Sequence, residues 1–296
     1  MNNLIKNILL SPFNVLYKIS PRLELKLLFL LKMGRRLDLD NPESYTEKLQ
    51  WLKLYDSQET YRLRELLSDK YYAREYVSQL PGGNDILNTL YWHGYDPDEI
   101  PFEDLPDQFV IKVTHGATFN IIVKDKAGLD RGKALKLLKK WLKAKYLVCY
   151  GEKWYGCVRP RVIVEKYLEN RTISELVDYK IHCFNGRAEL IVVYSERFED
   201  LKSNVYDRDW NLLDVKFAYP KGKNMEKPEC LEELIAVAER FSKDFVYVRI
   251  DFYIVDNRII FGEYTFTQAA GYNHIAPFSF DLEMGSWISL PEKTGK

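Results

Sequence analysis

The run VYVRIDFYIVDNRIIFGEYTF (residues 246–266) constrains this chain more than any other stretch. Two alternating segments rich in β-branched and aromatic residues flank Asp256-Asn257, a turn signal, so the stretch is predicted to be a β-hairpin. Along its first strand Arg249, Asp251 and Tyr253 share one face, while Ile250, Phe252 and Ile254 share the other. A three-residue loop, Asp256 to Arg258, sets Asp251 directly opposite Glu263. A strict two-residue turn sends Glu263 to the opposite face unless a bulge intervenes. Like charges facing each other across a strand pair destabilise it. A hard divalent cation with oxygen ligands is the simplest compensation. The plainer alternative is a solvated, decorated face on which Arg249 neutralises one carboxylate.

At 296 residues the chain is long enough for one large core or two to three lobes. Its 46% apolar and 14% aromatic content is that of a folded globular protein. Lys+Arg and Asp+Glu both number 43, which argues against a nucleic-acid partner held by global charge. The four cysteines (Cys149, Cys157, Cys183, Cys230) form no CxxC pair and are too few for a disulfide framework, so they fit a reducing cytoplasm. Residues 1–36 mix apolar runs with Lys6, Lys18, Arg22, Lys26, Lys32, Arg35 and Arg36, and Pro12 and Pro21 are expected to break them. The longest apolar run, LLFLL, is far short of the roughly 20 residues of a membrane span. Helices packed on the body are expected. A minority reading rests this basic segment on the inner face of an anionic membrane.

Residues 43–80 read as mostly helical, with Ser68 or Asp69 as an N-cap, and Pro81-Gly82-Gly83-Asn84 as a hard break. After an Asp- and Pro-rich connector (Tyr95 to Asp107), Phe109 to Val113 and Asn120 to Val123 read as two strands around a small-residue loop. A helix follows from about Asp130 to Lys145, and Arg161 to Glu165 is the next strand. Strands YKIHCF and AELIVVYS, joined by Asn185-Gly186, lead to a helix at about Leu231 to Lys243 and then to the hairpin. This is an α+β pattern without internal repeats. The expected division is a helical N-terminal segment (1–60), a first lobe (61–168) and a second lobe (169–296).

Single motifs say little. Lys112 projects from a strand just before the loop Thr114-His115-Gly116-Ala117-Thr118, whose small residues let backbone N–H groups approach phosphate; one glycine in a hairpin is equally a turn. Glu165-Lys166-Tyr167-Leu168 ends an apolar strand, where backbone groups and a carboxylate can meet a nucleoside. Asp178-Tyr179-Lys180 reads as a surface ion pair. Asp207-Arg208-Asp209 has the DxD form of a metal-dependent glycosyltransferase, but YDRDWNLLD also reads as a turn, where Asp is favoured for backbone reasons.

The order carries more: Asp69-Lys70, Lys112 with its loop, Glu165 to Leu168, Arg249-x-Asp251, Glu263-x-Thr265. With NPESYTEKLQWLKLYD, SDKYYAREYV, LPDQFVIKVTHG, DYKIHCFNG and VRIDFYIVDNRIIFGEYTFT, the chain resembles the teichuronopeptide-biosynthesis (TupA-like) family of the D-alanine–D-alanine-ligase-like ATP-grasp superfamily, over roughly residues 40 to 290. The resemblance implies two α+β lobes gripping ATP between antiparallel sheets. It implies that Lys70 and Lys112 bind nucleotide phosphates, that Thr114, His115, Gly116, Ala117 and Thr118 close over them, and that Glu165, Lys166, Tyr167 and Leu168 hold adenine and ribose. Asp251 and Glu263 would bind Mg²⁺, with Thr265 where ligases of this pattern usually have Asn. Arg249 would face the transferred phosphoryl group, and Lys180 would also reach the phosphate site.

The activity so implied is ATP-dependent ligation of a carboxylate to an amine through an acyl phosphate, on a small-molecule or glycan carboxylate such as a uronic acid of a cell-surface polysaccharide. Such chemistry needs positioning and charge neutralisation rather than a protein nucleophile. Competing classes are the glycosyltransferase using Asp207 and Asp209, an ATP-grasp phosphotransferase, and a non-catalytic sugar-binding module.

Overall fold

In the computed structural model, residues 3–116, 118–145, 148–170, 176–195, 201–217 and 219–293 are described. The chain opens with helices α1 (Asn3–Ile19) and α2 (Pro21–Met33), followed by α3 (Tyr45–Tyr55), α4 (Gln58–Leu67) and α5 (Lys70–Gln79). Strands β1 (Leu90–Gly94), β2 (Phe109–Val113) and β3 (Asn120–Val123) lead to α6 (Arg131–Leu142) and β4 (Val162–Lys166). Then come β5 (Asp178–Phe184), β6 (Arg187–Ser195), β7 (Lys202–Asp207), α7 (Leu231–Ser242), β8 (Tyr247–Val255), β9 (Arg258–Thr265) and α8 (Phe278–Ser286).

Local chemistry starts and stops these helices. Ser20 accepts from the Leu23 N–H ahead of Pro21 at the first helical position of α2, and Gly34, at φ 69°, ends that helix in the left-handed conformation. Ser44 and Glu47 form a capping box on α3. Asp69 caps α5 by accepting from the N–H groups of Tyr71 and Tyr72, and so holds Lys70 at the head of that helix. Pro21 separates two helices as expected, but Pro12 lies inside α1 without breaking it. Pro12 is exposed on the surface of that helix. The short strand β1, which precedes the Asp- and Pro-rich connector, and β7 and α8 lack an alternating or periodic signal strong enough to predict them.

Two antiparallel sheets result: a four-stranded one in the order β1-β4-β2-β3 and a five-stranded one in the order β7-β6-β5-β8-β9. The first packs Phe109, Ile111, Val113, Val162 and Val164 against Leu138 of α6. The second is covered on both sides, as its fully buried central strand β5 requires. Ile181, Ile191, Val248 and Ile250 meet Leu234, Ala238 and Phe241 of α7 on one face. On the other, Phe184, Leu190, Val205 and Tyr247 meet Phe29 of α2, Tyr45 and Leu49 of α3, and Phe280 and Met284 of α8. Farther along the same face lie Lys180, Arg249, Asp251, Glu263 and Thr265, the first three of them buried. Among the described residues no helix is long and apolar enough to cross a membrane.

Candidate active site

The β8–β9 hairpin resolves the ambiguity in its sequence by a bulge. Asp256 and Asn257 both have positive φ (49° and 61°), and Val255 pairs directly with Arg258, so the loop has two residues of the primed type that matches strand twist. The register then shifts: Phe252 pairs with Phe261, whereas Asp251 pairs with Glu263. Gly262 is the extra residue, and a Cβ there would lie 2.9 Å from the Asp251 carbonyl oxygen. The two carboxylates therefore share a face although the turn is even.

What stabilises them is cationic side chains. Arg249 grips Asp251 in a fork, with Nε 2.6 Å from Oδ1 and Nη2 2.8 Å from Oδ2. Lys180, on the neighbouring strand opposite Asp251, donates to the same Oδ2 at 2.5 Å. Burial disfavours the Asp251 anion, but Arg249 and Lys180 outweigh it and hold its pKa well below the usual carboxylate range. Glu263 is held more loosely: Lys70 Nζ lies 3.2 Å from Oε2 and Arg249 Nη2 lies 3.8 Å from Oε1. Thr265 Oγ1 accepts from Arg249 Nη2 at 2.9 Å. His182, paired with Arg249 across β5 and β8, is fully buried; burial, with the nearby guanidinium, keeps it neutral.

Lys70 joins the two sheets. From the head of α5 it reaches Glu263 on one sheet and donates to the Gly116 carbonyl at 3.1 Å on the loop of the other, while its own N–H donates to the Thr114 carbonyl. Thr114 is buried and braces that loop: Oγ1 accepts from the Arg161 N–H, and its N–H donates to the Arg161 carbonyl. His115 Nε2 donates to the Ala144 carbonyl at 3.0 Å. Gly116 is close-packed, since a Cβ would come within 2.1 Å of the Phe119 ring. Thr118 is left-handed at φ 64°; Ala117 lies outside the described residues.

Lys112 points into the same gap and donates to Glu165 Oε2 at 2.7 Å; Arg74 holds Oε1 at 2.9 Å. Against the opposing effect of burial, these two cations keep Glu165 ionised below its usual range. The rest of the predicted nucleoside segment is anchored by backbone. Lys166 N–H donates to the Thr89 carbonyl and its own carbonyl accepts from Asn88, which leaves the Lys166 side chain exposed; Lys124 sits over the Tyr167 ring. A cavity of about 380 Å³ opens between Lys166, Tyr167 and Leu168 on one side and Val255, Asp256 and Arg258 on the other. It shares Asn88 and Leu168 with a narrow cleft that runs past Lys112, Glu165 and Lys70, and Lys70 also lines the next cleft, with Gly116, Glu263 and Thr265. Shared lining residues thus set these clefts in a row from the strand-end segment to Glu263.

Sequence reasoning missed Arg74 and Gly262. Arg74 stands one helical turn after Lys70, and that i, i+4 spacing was the available signal. Gly262 was readable as a strand-interior glycine, a common mark of a bulge. The DxD segment is elsewhere, three strands from Arg249 along the sheet, beside a separate groove of about 430 Å³. Asp207 serves its own turn: Oδ1 accepts from the N–H groups of Asp209 and Asn211, and Oδ2 accepts from the Asn211 amide.

A model of the TupA-like ATP-grasp family matches residues 47–289. The chain belongs to that family. Its two antiparallel sheets and helices form the α+β ATP-grasp fold, and the clefts of this TupA-like chain gather Lys70, Arg74, Lys112, Glu165 and Glu263. No curated protein matches it in sequence. Among solved structures it is similar to D-alanine–D-alanine ligase from Bacillus anthracis complexed with ATP (16% identity, TM-score 0.39, covering 69% of this chain and 56% of that one). It is also similar to D-alanine–D-alanine ligase from Helicobacter pylori (17%, 0.44, 76% and 62%). A third is N5-carboxyaminoimidazole synthase from Aspergillus clavatus in complex with ADP and 5-aminoimidazole ribonucleotide (12%, 0.42, 77% and 53%). The chain spans a little over half the length of these structures.

Proposed function

We propose that this ATP-grasp chain is an ATP- and Mg²⁺-dependent ligase that activates a carboxylate as an acyl phosphate and couples it to an amine. The observation that carries the reading is Lys70 spanning the gap, bonded to the loop of one sheet and to Glu263 of the other. One cation held by both sheets is positioned to exchange these partners for phosphate oxygens and to pull the sheets together around them. Lys112 and Arg74, held by Glu165, supply further positive charge along the same groove, and the 380 Å³ cavity beside Lys166 to Leu168 suits a nucleoside.

The donor set fits magnesium. Asp251 and Glu263 carry hard oxygen donors on one face. Glu263 is held loosely, and Asp251 is held by Arg249 and Lys180, which would have to yield an oxygen to the ion. Among the described residues no third carboxylate, His or Cys joins them in a metal-binding group. Two carboxylates, with phosphate oxygens and water, make up the usual magnesium environment. Bound there, the ion would neutralise charge on the phosphates during transfer. Arg249 is the chain's own contribution at that point. Fixed by Asp251 and Thr265, it is preorganised to stabilise oxyanion charge, a role worth about 3–4 kcal/mol of barrier.

The finer reading follows the family's character: the acyl donor is a uronic-acid carboxylate of a cell-surface polysaccharide or its precursor, and the amine is an amino acid or similar compound. Four cysteines with no CxxC pair, too few for a disulfide framework in a chain of this length, favour work in the cytoplasm. The test is incubation with MgATP, candidate uronic acids and hydroxylamine. Release of ADP and phosphate with formation of a hydroxamate is expected, lost in Lys112→Ala and kept in Asp209→Ala. A phosphorylated product without hydroxamate would make it a phosphotransferase, and UDP release from a nucleotide sugar without ATP use would overturn the ligase reading.

A further inference from the structure

Helix α2 is apolar on two opposite sides. Its inner side, Leu25, Leu28 and Phe29, is buried in the core under the five-stranded sheet, so the helix is fixed to the body of the protein. Its outer side carries Leu23, Leu27, Leu30 and Leu31 at spacings of four, three and one, a continuous stripe on a helix. All four are exposed, from 40% for Leu27 to 70% for Leu31. At the end of α1, just across Ser20 and Pro21, Val15 and Ile19 are exposed as well, at 57% and 76%. These six make up nearly half of the fourteen large apolar side chains exposed among the described residues, within 17 positions. A surface helix serving only its own domain puts polar residues there.

Charge indicates what covers the stripe. Residues 1–36 hold seven of the 43 basic residues and one of the 43 acidic ones, so they are net +6 and the remaining 260 residues are net −6. The one acid, Glu24, is buried on the inner side. Lys26 stands three residues after Leu23 and four before Leu30, at the edge of the stripe, and Lys18 stands three after Val15. A second copy docking by this face in a two-fold arrangement would bring like charge against like charge. An apolar stripe edged by lysines matches instead an acyl boundary below and anionic headgroups beside it.

We propose that the α1–α2 hairpin seats this protein on an anionic bilayer surface, with the stripe of α2 lying in the interface plane. The inner side of the same helix bears on the chain just beyond the hairpin site: Phe29 packs on Tyr272 at 6.2 Å, and Lys32 lies 5.4 Å over the same ring, seven residues after Thr265. Seating α2 would therefore set the orientation of the groove to the bilayer. This holds whichever reaction the groove performs.

Co-sedimentation of the full chain with phosphatidylcholine vesicles, with and without phosphatidylglycerol, tests it. Binding is expected only with phosphatidylglycerol, and weaker as salt rises. Lys18→Gln and Lys26→Gln should each weaken it about fivefold and flatten its salt dependence. Leu27→Gln/Leu31→Gln should cost about tenfold or more even at low salt. All of these positions are at least partly exposed, so the thermal midpoint should stay near that of the parent. Absence of binding, equal binding to phosphatidylcholine alone, or a leucine variant that binds unchanged would each overturn the proposal. So would light scattering that finds a dimer, free of vesicles, which the leucine substitutions dissociate.

Discussion

Asp251 accepts three charge-assisted hydrogen bonds from two cations that are themselves buried, so its carboxylate is structural as well as a candidate ligand. Removing one member of such a cluster leaves the others uncompensated in a poorly hydrated place, and that typically costs about 3–5 kcal/mol. Asp251→Ala should therefore lower the urea midpoint by a comparable free energy, with a smaller loss for Asp251→Asn, which keeps the shape and part of the bonding. An alanine variant within about 1 kcal/mol of the parent would contradict this account of the cluster. Arg249, Asp251 and Glu263 stand out in the sequence as charged residues on one hairpin, whereas Lys70, Lys112, Glu165 and Lys180 were assigned to the site only through the family resemblance. Their partners were not legible. Nothing in the order of residues says that Glu165 is gripped by Lys112 and Arg74, or that Thr265 receives its hydrogen bond from Arg249.

The hairpin shows what an element adds. Its alternation was legible, and so was the Asp-Asn turn, yet the sequence left the loop length open, and the two-residue loop that forms would put Asp251 and Glu263 on opposite faces. Gly262 reconciles them by taking the unpaired position of a bulge, close against the Asp251 backbone. Gly262→Ala should force the strands apart at that point, with a stability loss of about 1–3 kcal/mol. ATP consumption should fall more steeply than stability, because the register of Glu263 depends on the bulge. Calorimetry beside an ADP-release assay would separate the two effects, and a variant with both quantities unchanged would sink the idea. Helix α5 makes the complementary point. Its Asp69 cap was recognisable, but that the cap holds Lys70 across the gap between the sheets follows only from the contact of α5 with the Thr114 to Gly116 loop.

Across the whole molecule, α2 and α3 join the rest around a second buried charge cluster. Lys53 donates at 2.7 Å to Gln50 Oε1 and to the carbonyls of Tyr150 and Ala270, and Glu24 from α2 is buried nearby with neither carboxylate oxygen hydrogen-bonded. Burial pushes the Glu24 pKa up to about 8, although Lys53 opposes the shift. The folded state therefore holds a proton that the unfolded chain, near its ordinary 4.5, releases. The associated stability is complete below about pH 4.5 and is lost as pH rises through about 8. Glu24→Gln, which mimics the protonated form, should match the parent near pH 4.5 and exceed it increasingly towards pH 8. Each kcal/mol gained appears as roughly 2–4 °C in thermal melts. A difference between the two proteins that does not grow with pH would rule out this role for Glu24. By itself the sequence determined the α+β class and most helices and strands, because these depend on local periodicity, capping and residue chemistry. The family was legible through its resemblance over roughly residues 40 to 290, and the candidate ligands came with it. Only the tertiary structure decided the bulge that puts two carboxylates on one face, the cations that hold them, and which side of α2 is left exposed. Those depend on contacts between segments far apart in the chain, and spacing along the chain carries no record of them.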